Sequence, residues 1–199
     1  MKRLLDMVAA GAGLLALAPL FGLVALLIKL DSQGPVFFKQ QRIGRGFRPF
    51  WLYKFRTMRR DASEAIPLTV GADARITRVG DFLRRSKIDE LPQLFNIVRG
   101  DMTLVGPRPE VPRYVEAFHS DYEEILTVRP GLTDLASLKY RDEAGLLGQC
   151  ADPEQEYLRR VLPDKIRLGK EYIQRSSLAF DMSLIMKTLG KVIFFRSAI

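Results

Sequence analysis

The stretch "MVAAGAGLLALAPLFGLVALLIKL", residues 7–30, decides what kind of protein this is. From Met7 to Ile28 it carries no charge, and about 20 apolar residues suffice for a helix to cross the hydrocarbon of a bilayer. Pro19 interrupts the run a little past its middle. Proline removes one backbone donor and clashes with the carbonyl four residues earlier, so the helix must kink or break there. Two readings follow: a bent helix that spans the membrane, or one that enters, turns at Pro19 and returns to the same face. Lys2 and Arg3 stand on one flank, and Lys29, Lys39, Arg42, Arg45 and Arg48 on the other. Positive charge marks the cytoplasmic side. Both flanks carry it, which favours the re-entrant reading. A cleaved signal peptide fits poorly, because no cleavage site follows and the next residues read as structured chain.

Composition narrows the partners. The 199 residues carry 31 Lys and Arg against 23 Asp and Glu, a formal net charge of +8, so the partner is anionic. No zinc-finger spacing, aromatic RNA-binding pattern or basic-aromatic repeat points to nucleic acid, and the apolar segment favours lipid. Cys150 is the single cysteine, which excludes an intramolecular disulfide and suits a reducing compartment. His119 is the single histidine; a metal site would draw on oxygen ligands, which suits Mg²⁺ rather than zinc. His119 itself reads as a surface or helix-end residue.

Beyond the apolar run, Gly34-Pro35 marks a turn and "VFFKQQRIG" (36–44) reads as a strand ending at Gly44. "FRPFWLYKFRTM" (47–58) supplies a second strand, a hairpin-like pair, and residues 59–80 read as loop-rich. At the far end, "DMSLIMKTLGKVIFFRSAI" (181–199) opens on Asp181 as a cap. Ile185, Met186, Leu189, Val192 and Ile193 recur at helical spacing between Lys187, Lys191 and Arg196. Such a helix lies in a membrane interface or packs on the protein's own core; both readings stand.

The chemistry concentrates in "KIDELPQLFNIVRGD" (87–101). Leu91, Leu94, Phe95 and Val98 fall at i, i+3, i+4 and i+7, the pattern of a short amphipathic helix with these residues buried. Pro92 fits the first turn of that helix and Gly100 its C-terminal cap. Asp89 and Glu90 then sit at the helix N-terminus, where the peptide dipoles favour negative charge. Capping accounts for one carboxylate. Two, close to Arg84, Arg85 and Lys87, also suit a phosphate site in which acids hold Mg²⁺ or attack phosphorus. In "MTLVGPRPEVP" (102–112), Pro107 and Pro109 bracket Arg108 in a stiff turn. That presents a guanidinium for bidentate phosphate binding or simply leaves an exposed arginine.

The chain closely resembles the bacterial sugar transferases, the small membrane-bound polyprenyl-phosphate phosphoglycosyl transferases. The resemblance runs through "KRLLDMVAAGAGLLALAPLFGLVALLIKL", "GPVFFKQQRIGRGFRPFWLYKFRTM", "FLRRSKIDELPQLFNIVRGDMTLVGPRPE" and "VRPGLTDLAS", and more loosely "LPDKIRLGKEYI". It implies transfer of a sugar 1-phosphate from a UDP-sugar to a polyprenyl phosphate such as undecaprenyl phosphate, with release of UMP. It implies Asp89 as the nucleophile that forms a phosphosugar intermediate, with Glu90 its neighbour in a Mg²⁺ site held by both carboxylates. Lys54, Arg84 and Arg108 resemble the family's phosphate-binding cations. Arg141 corresponds to a nucleotide-facing group, and Asp164 matches an acid near the site. Relatives break the re-entrant helix at a Ser-Pro pair; here it reads Ala18-Pro19. Many follow "RPG" with Ile-Thr-Gly, whereas this chain has Leu132, Thr133, Asp134, Leu135, Ala136 and Ser137, so the donor sugar is not carried over.

The expected architecture is therefore α+β, mostly helical with a small β-hairpin or sheet. Residues 1–30 form the re-entrant membrane helix broken at Pro19. Residues 31–199 form the membrane-associated catalytic domain, with amphipathic interfacial helices, on the cytoplasmic face of the bacterial inner membrane. With only six residues ahead of the apolar run, the additional N-terminal spans of larger relatives are not expected. A non-catalytic membrane adaptor that recruits glycosyltransferases is the competing reading; it needs the helix and the charge but not the carboxylate pair.

Overall fold

The computed structural model describes residues 2–59, 68–71 and 73–193. It is mostly helical with two small sheets, in keeping with the α+β expectation. Two helices open the chain, α1 (Lys2–Ala16) and α2 (Ala18–Asp31), bent by 59°. No single helix among the described residues is long and apolar enough to cross a membrane, although the bent pair together is. The break falls at Leu17 rather than at Pro19, which occupies the first turn of α2. A proline disrupts the turn before it, not its own position, so the displacement is physical.

Both ends of this pair are fastened to the rest of the protein by polar contacts. At the start, the Arg3 guanidinium donates to the carbonyls of Ile97 (2.7 Å) and Val98 (3.2 Å). These end a helix whose last carbonyls lack intrahelical partners. Asp6, buried, accepts from Thr103 Oγ1 at 2.5 Å. At the finish, Arg56 donates to the Ser32 carbonyl at 2.7 Å and the Gln33 carbonyl at 2.9 Å. Asp31 accepts from the Val79 amide at 3.1 Å. Between these anchors Ala10, Val24 and Ile28 are buried in cores shared with later elements.

Strands β1 (Phe37–Ile43) and β2 (Pro49–Phe55) form the expected antiparallel hairpin, with Phe37 opposite Phe55 and Ile43 opposite Pro49. Of the 59–80 segment, residues 60–67 and 72 lie outside the described residues, and α3 (Arg78–Arg85) begins within it, capped by Thr77. A single 3₁₀ turn, Ile88–Glu90, carries the carboxylate pair, and α4 (Gln93–Arg99) follows, closed by Gly100 at φ 106°. The expected buried face of α4 is partly wrong. Leu94 is buried, but Phe95 and Val98 are 48% and 38% exposed; Gln93, Asn96 and Ile97 point inward instead. Asn96 is buried because it closes β2, accepting from the Tyr53 amide (3.1 Å) and donating to the Trp51 carbonyl (2.7 Å).

Next come β3 (Thr103–Val105), α5 (Pro112–Ala117), α6 (His119–Ile125), β4 (Gly131–Thr133), α7 (Leu135–Lys139), α8 (Glu143–Leu147) and α9 (Pro153–Glu156). A π turn (Tyr157–Val161), α10 (Leu162–Arg175) and α11 (Leu178–Ile193) complete the fold. His119 begins α6 and stacks on Phe47, a helix-end position as expected. Strands β3 and β4 pair in parallel, a sheet the residue pattern did not announce. Asp181 lies inside α11 rather than capping it. It joins α10 to the N-terminus by accepting from Tyr172 Oη (2.7 Å) and pairing with Lys2 (2.7 Å). Leu184 turns inward while Met182, Met186 and Leu189 are exposed, so α11 both packs and presents an apolar stripe. Residues 194–199, including Arg196, lie outside the described residues.

The β3–β4 pair depends on two glycines. A Cβ on Gly131 would lie 2.1 Å from the Gly106 amide nitrogen, so only glycine lets the two chains pass. Gly131→Ala is expected to destabilise the protein by about 1–3 kcal/mol through overpacking. Gly190→Ala in α11, where a Cβ meets open space, should be neutral or slightly stabilising. Thermal unfolding of the two variants in detergent checks the contrast.

Candidate active site

Lys87 adopts the left-handed conformation (φ 59°) directly after α3, at a cost on the order of 1–2 kcal/mol for a residue with a Cβ. That reversal ends α3 and turns the next residues into a cleft of about 2440 Å³. Asp89 sinks to 7% exposure there, and among the described residues its Oδ1 has no hydrogen-bond partner.

Glu90 is the opposite case. Both its oxygens are taken: Arg108 reaches Oε2 from Nη1 at 3.0 Å and contacts Oε1 through Nη2, while Lys54 Nζ lies 3.1 Å from Oε1. Lys54 comes from β2 and Arg108 from the Pro107–Pro109 turn. That turn is itself held from behind. The Asp134 side chain accepts from the Arg108 amide (3.1 Å) and, as N-cap of α7, from the Ser137 amide (2.7 Å). Gly106 donates to the Thr133 carbonyl and Gly131 to the Pro107 carbonyl. Asp134 thus locks the arginine's backbone from the segment that departs from the Ile-Thr-Gly pattern.

The electrostatics separate the two acids. Burial, then the Glu90 charge, pushes the Asp89 carboxyl above its ordinary range, against the pull of Lys54, Lys87 and Arg84. Burial also acts to raise Glu90, but Arg108, then Lys54 and Lys87, overcome it and hold Glu90 well below the usual range. Burial lowers Lys54 despite Glu90 beside it. Two adjacent carboxylates are driven apart, one locked as an anion and one left accessible to protonation.

The remaining expected site residues are distributed differently. Arg84 lines the cleft and donates to Thr69 Oγ1 (2.6 Å) and Thr57 Oγ1 (3.4 Å). Arg141 also lines it, but donates to the Lys191 carbonyl of α11. Asp164 is not brought to the cleft lining. Its carboxylate receives Lys139 (2.7 Å), Tyr140 (2.8 Å) and Arg167 (2.8 Å). Burial acts to raise it, but these donors outweigh that and hold it at about 2. It ties α10 to the end of α7.

A second buried polar cluster lines the same cleft and was not anticipated. Glu110 accepts from Arg42 Nη1 (2.8 Å), the Val111 amide (2.8 Å) and Tyr157 Oη (2.5 Å); Lys165 approaches Tyr157 and pairs with Glu143. The "PRPE" turn sends Arg108 to Glu90 on one side and Glu110 to Arg42 on the other. The sole local signal was the acid after the second proline, whose partners lie far along the chain.

The sequence model of the bacterial sugar transferases matches residues 1–195. The chain belongs to that family. It is similar to an undecaprenyl-phosphate glucose phosphotransferase of Komagataeibacter xylinus, 43% identical over 99% of this chain and 36% of that protein. It also resembles a UDP-glucose:undecaprenyl-phosphate glucose-1-phosphate transferase of Caulobacter vibrioides, 41% identical over 96% of this chain and 69% of that one. A UDP-N-acetylgalactosamine-undecaprenyl-phosphate N-acetylgalactosaminephosphotransferase of Aeromonas hydrophila is 37% identical over 96% of this chain and 43% of its own length. The chain thus spans little more than a third of the Komagataeibacter relative and less than half of the Aeromonas one. Within this bacterial sugar transferase, the Asp89–Glu90 pair and the Arg108 turn lie in the matched region.

Opposite shifts predict opposite stabilities. A raised pKa in Asp89 means that its ionised form opposes folding. That cost is absent below the unfolded value of about 3.8 and grows as pH rises toward the folded value. Asp89→Asn should therefore unfold at the same temperature as the unaltered protein or higher at pH 7, the gap closing near pH 4. Glu90 stabilises above its unfolded value of about 4.5 and loses that contribution as pH falls through its depressed folded value. Glu90→Gln strands two cations and should cost about 3–5 kcal/mol at pH 7. Denaturant unfolding of both variants across pH reads the signs directly.

Proposed function

We propose that this chain is a phosphoglycosyl transferase that moves a sugar 1-phosphate from a UDP-sugar to undecaprenyl phosphate and releases UMP. The observation that carries the reading is the pairing of a buried Asp89 oxygen, without a hydrogen-bond partner among the described residues, with a Glu90 whose oxygens are engaged by Arg108 and Lys54. The relatives' names supply the substrate classes, with glucose and N-acetylgalactosamine the first donors to try.

In the first step an Asp89 oxygen attacks the phosphorus that bears the sugar. The bond from that phosphorus to the bridging oxygen breaks, and UMP leaves with that oxygen. In the second, the acceptor's phosphate oxygen attacks the same phosphorus. The acyl phosphate bond breaks, which restores the Asp89 carboxylate and yields the polyprenyl diphosphate sugar. Attack requires Asp89 ionised, and Lys54, Lys87 and Arg84 favour that form. Arg108 and Lys54, positioned by Glu90, face the diphosphate oxygens and offset the charge that otherwise repels an anionic nucleophile.

Mg²⁺ fits the donor set through Asp89, whose buried Oδ1 has no hydrogen-bond partner among the described residues, with substrate oxygens and water completing the shell, as this ion commonly binds. Glu90, expected as a second ligand, has its oxygens committed to cations. Bound there, the ion would neutralise diphosphate charge.

The seating is re-entrant on the cytoplasmic face of the inner membrane. The attachment of both ends of the α1–α2 pair to one body supports this. So does the apolar exposure of Leu4, Leu5, Leu15, Leu23 and Leu26 between them.

Purified protein in nanodiscs, given undecaprenyl phosphate, Mg²⁺ and UDP-glucose or UDP-N-acetylgalactosamine, should release UMP. Asp89→Asn should lower that rate by on the order of 10³-fold or more, as removal of a covalent nucleophile does. Chelation should abolish it and added Mg²⁺ restore it. The acid limb of kcat/KM should fall at a pH above the ordinary carboxylate value. Full turnover by Asp89→Asn would sink the reading.

A further inference from the structure

The turn that carries Arg108 grows out of β3, and β3 is too short to fix itself. It pairs with β4 at only two registered positions, Thr103 opposite Gly131 and Val105 opposite Thr133. A two-stranded pair is marginally stable by itself, and the glycines that let these chains cross, Gly106 and Gly131, add no side chain to pack.

The strand is held instead by polar side chains from distant parts of the chain. Asp6 of α1, buried, accepts from Thr103 Oγ1 at 2.5 Å and from the Leu104 amide at 3.4 Å. Four residues earlier, Lys2 donates to the Val105 carbonyl at 2.9 Å. The same ammonium donates to Tyr172 Oη at 2.7 Å and pairs with Asp181 at 2.7 Å. Tyr172, on α10, is 1% exposed; its hydroxyl stands 2.7 Å from the Asp181 carboxylate and 2.9 Å from the Val105 carbonyl. Its single proton serves one of these acceptors, and Lys2 supplies the other. All three residues of β3 are thus gripped, Thr103 and Leu104 from α1 and Val105 from α1 and α10. None of Lys2, Asp6, Tyr172 and Asp181 lines the cleft, so none of them meets a substrate there.

We propose that Tyr172 and Asp6 are positioning residues for the transferase: by fixing β3 they set the place of Arg108 against Glu90 and the diphosphate. The inference rests on the transferase reading above. Arg108 follows the end of β3 by three residues. Asp134 holds it from the downstream side, and β3 is its only covalent support upstream. A misplacement of about 1 Å in a group that acts on the reacting atoms costs on the order of 10²-fold in rate. A knot that merely joined α1, α10 and α11 would act differently. Its loss would lower the fraction of folded protein and leave the chemistry of the folded molecules unchanged.

The test is a rapid-mixing measurement of UMP release in nanodiscs with Mg²⁺ and no acceptor. The donor is UDP-glucose or UDP-N-acetylgalactosamine, whichever the unaltered protein turns over. With a covalent first step each competent molecule releases one UMP, so the burst amplitude counts competent protein and the burst rate reports the chemistry. Tyr172→Phe removes one hydroxyl, Asp6→Ala removes both α1 contacts to Thr103 and Leu104, and Asp6→Asn keeps one acceptor oxygen. The expected result for Tyr172→Phe is a full amplitude with a rate lowered about tenfold. Asp6→Ala should show at least that loss of rate, partly restored in Asp6→Asn. Amide hydrogen exchange in the peptide spanning residues 103–110 should quicken in the slowed variants. Unchanged burst rates in Tyr172→Phe and Asp6→Ala would overturn the proposal, as would a loss confined to amplitude. So would a slowed burst with unchanged exchange in that peptide; in each case the transferase reading stands. No burst from the unaltered protein would sink the covalent reading and the proposal together.

Discussion

The contact on which the site depends is the clamp of Arg108 and Lys54 on Glu90. Two cations share one anion, all largely withdrawn from water; removing the Glu90 anion leaves two uncompensated positive charges. The set also joins three distant pieces of chain, the end of β2, the 3₁₀ turn and the Pro107–Pro109 loop. With Glu90 so engaged, the neighbouring Asp89 keeps a buried oxygen that has no hydrogen-bond partner among the described residues. The charge that holds Glu90 ionised is also the charge that a diphosphate would meet. Structure and chemistry thus share the same two cations.

Rigidity behind the clamp comes from backbone geometry rather than from bulk. Two prolines restrict the loop around Arg108, two glycines let it cross β4, and Asp134 holds the Arg108 amide. Glu110 pins the other side of the loop to β1 and the π turn through Arg42 and Tyr157. The left-handed Lys87 aims the acids into the cleft from the opposite wall. The bent N-terminal pair is built into this frame: Asp6 touches β3, Arg3 closes α4, and Leu17 reaches the cleft lining. The bent helix pair and the wall of the cleft are consequently neighbours.

Much of this was legible in the residues because the signals were local. The hairpin from Phe37 to Phe55, the Gly100 cap and a break close to Pro19 each follow from a few adjacent side chains. The burial of Phe95 and Val98 was misread for a physical reason. α4 carries apolar side chains on both its buried and its exposed sides, so periodicity alone cannot tell the core side from the other. Asn96, buried to complete β2, inverts the usual polarity rule. The β3–β4 pair spans too few residues for a pattern, and the Arg42–Glu110–Tyr157 cluster joins residues distant along the chain. At the site, Lys54, Asp89, Glu90 and Arg108 are gathered as the motifs suggested. Arg141 is turned to α11, and Asp164 is spent on helix joining. A charged residue's partner is a tertiary fact that its neighbours in sequence do not reveal.

The central claim is that Asp89, left open beside a clamped Glu90, carries the sugar phosphate between donor and acceptor. The most direct measurement is peptide mass spectrometry of the protein after brief exposure to the UDP-sugar and Mg²⁺ without acceptor. The account predicts a phosphosugar adduct on the peptide containing Asp89, lost when undecaprenyl phosphate is then added. An enzyme that turns over with both substrates yet forms no adduct at Asp89 would contradict it.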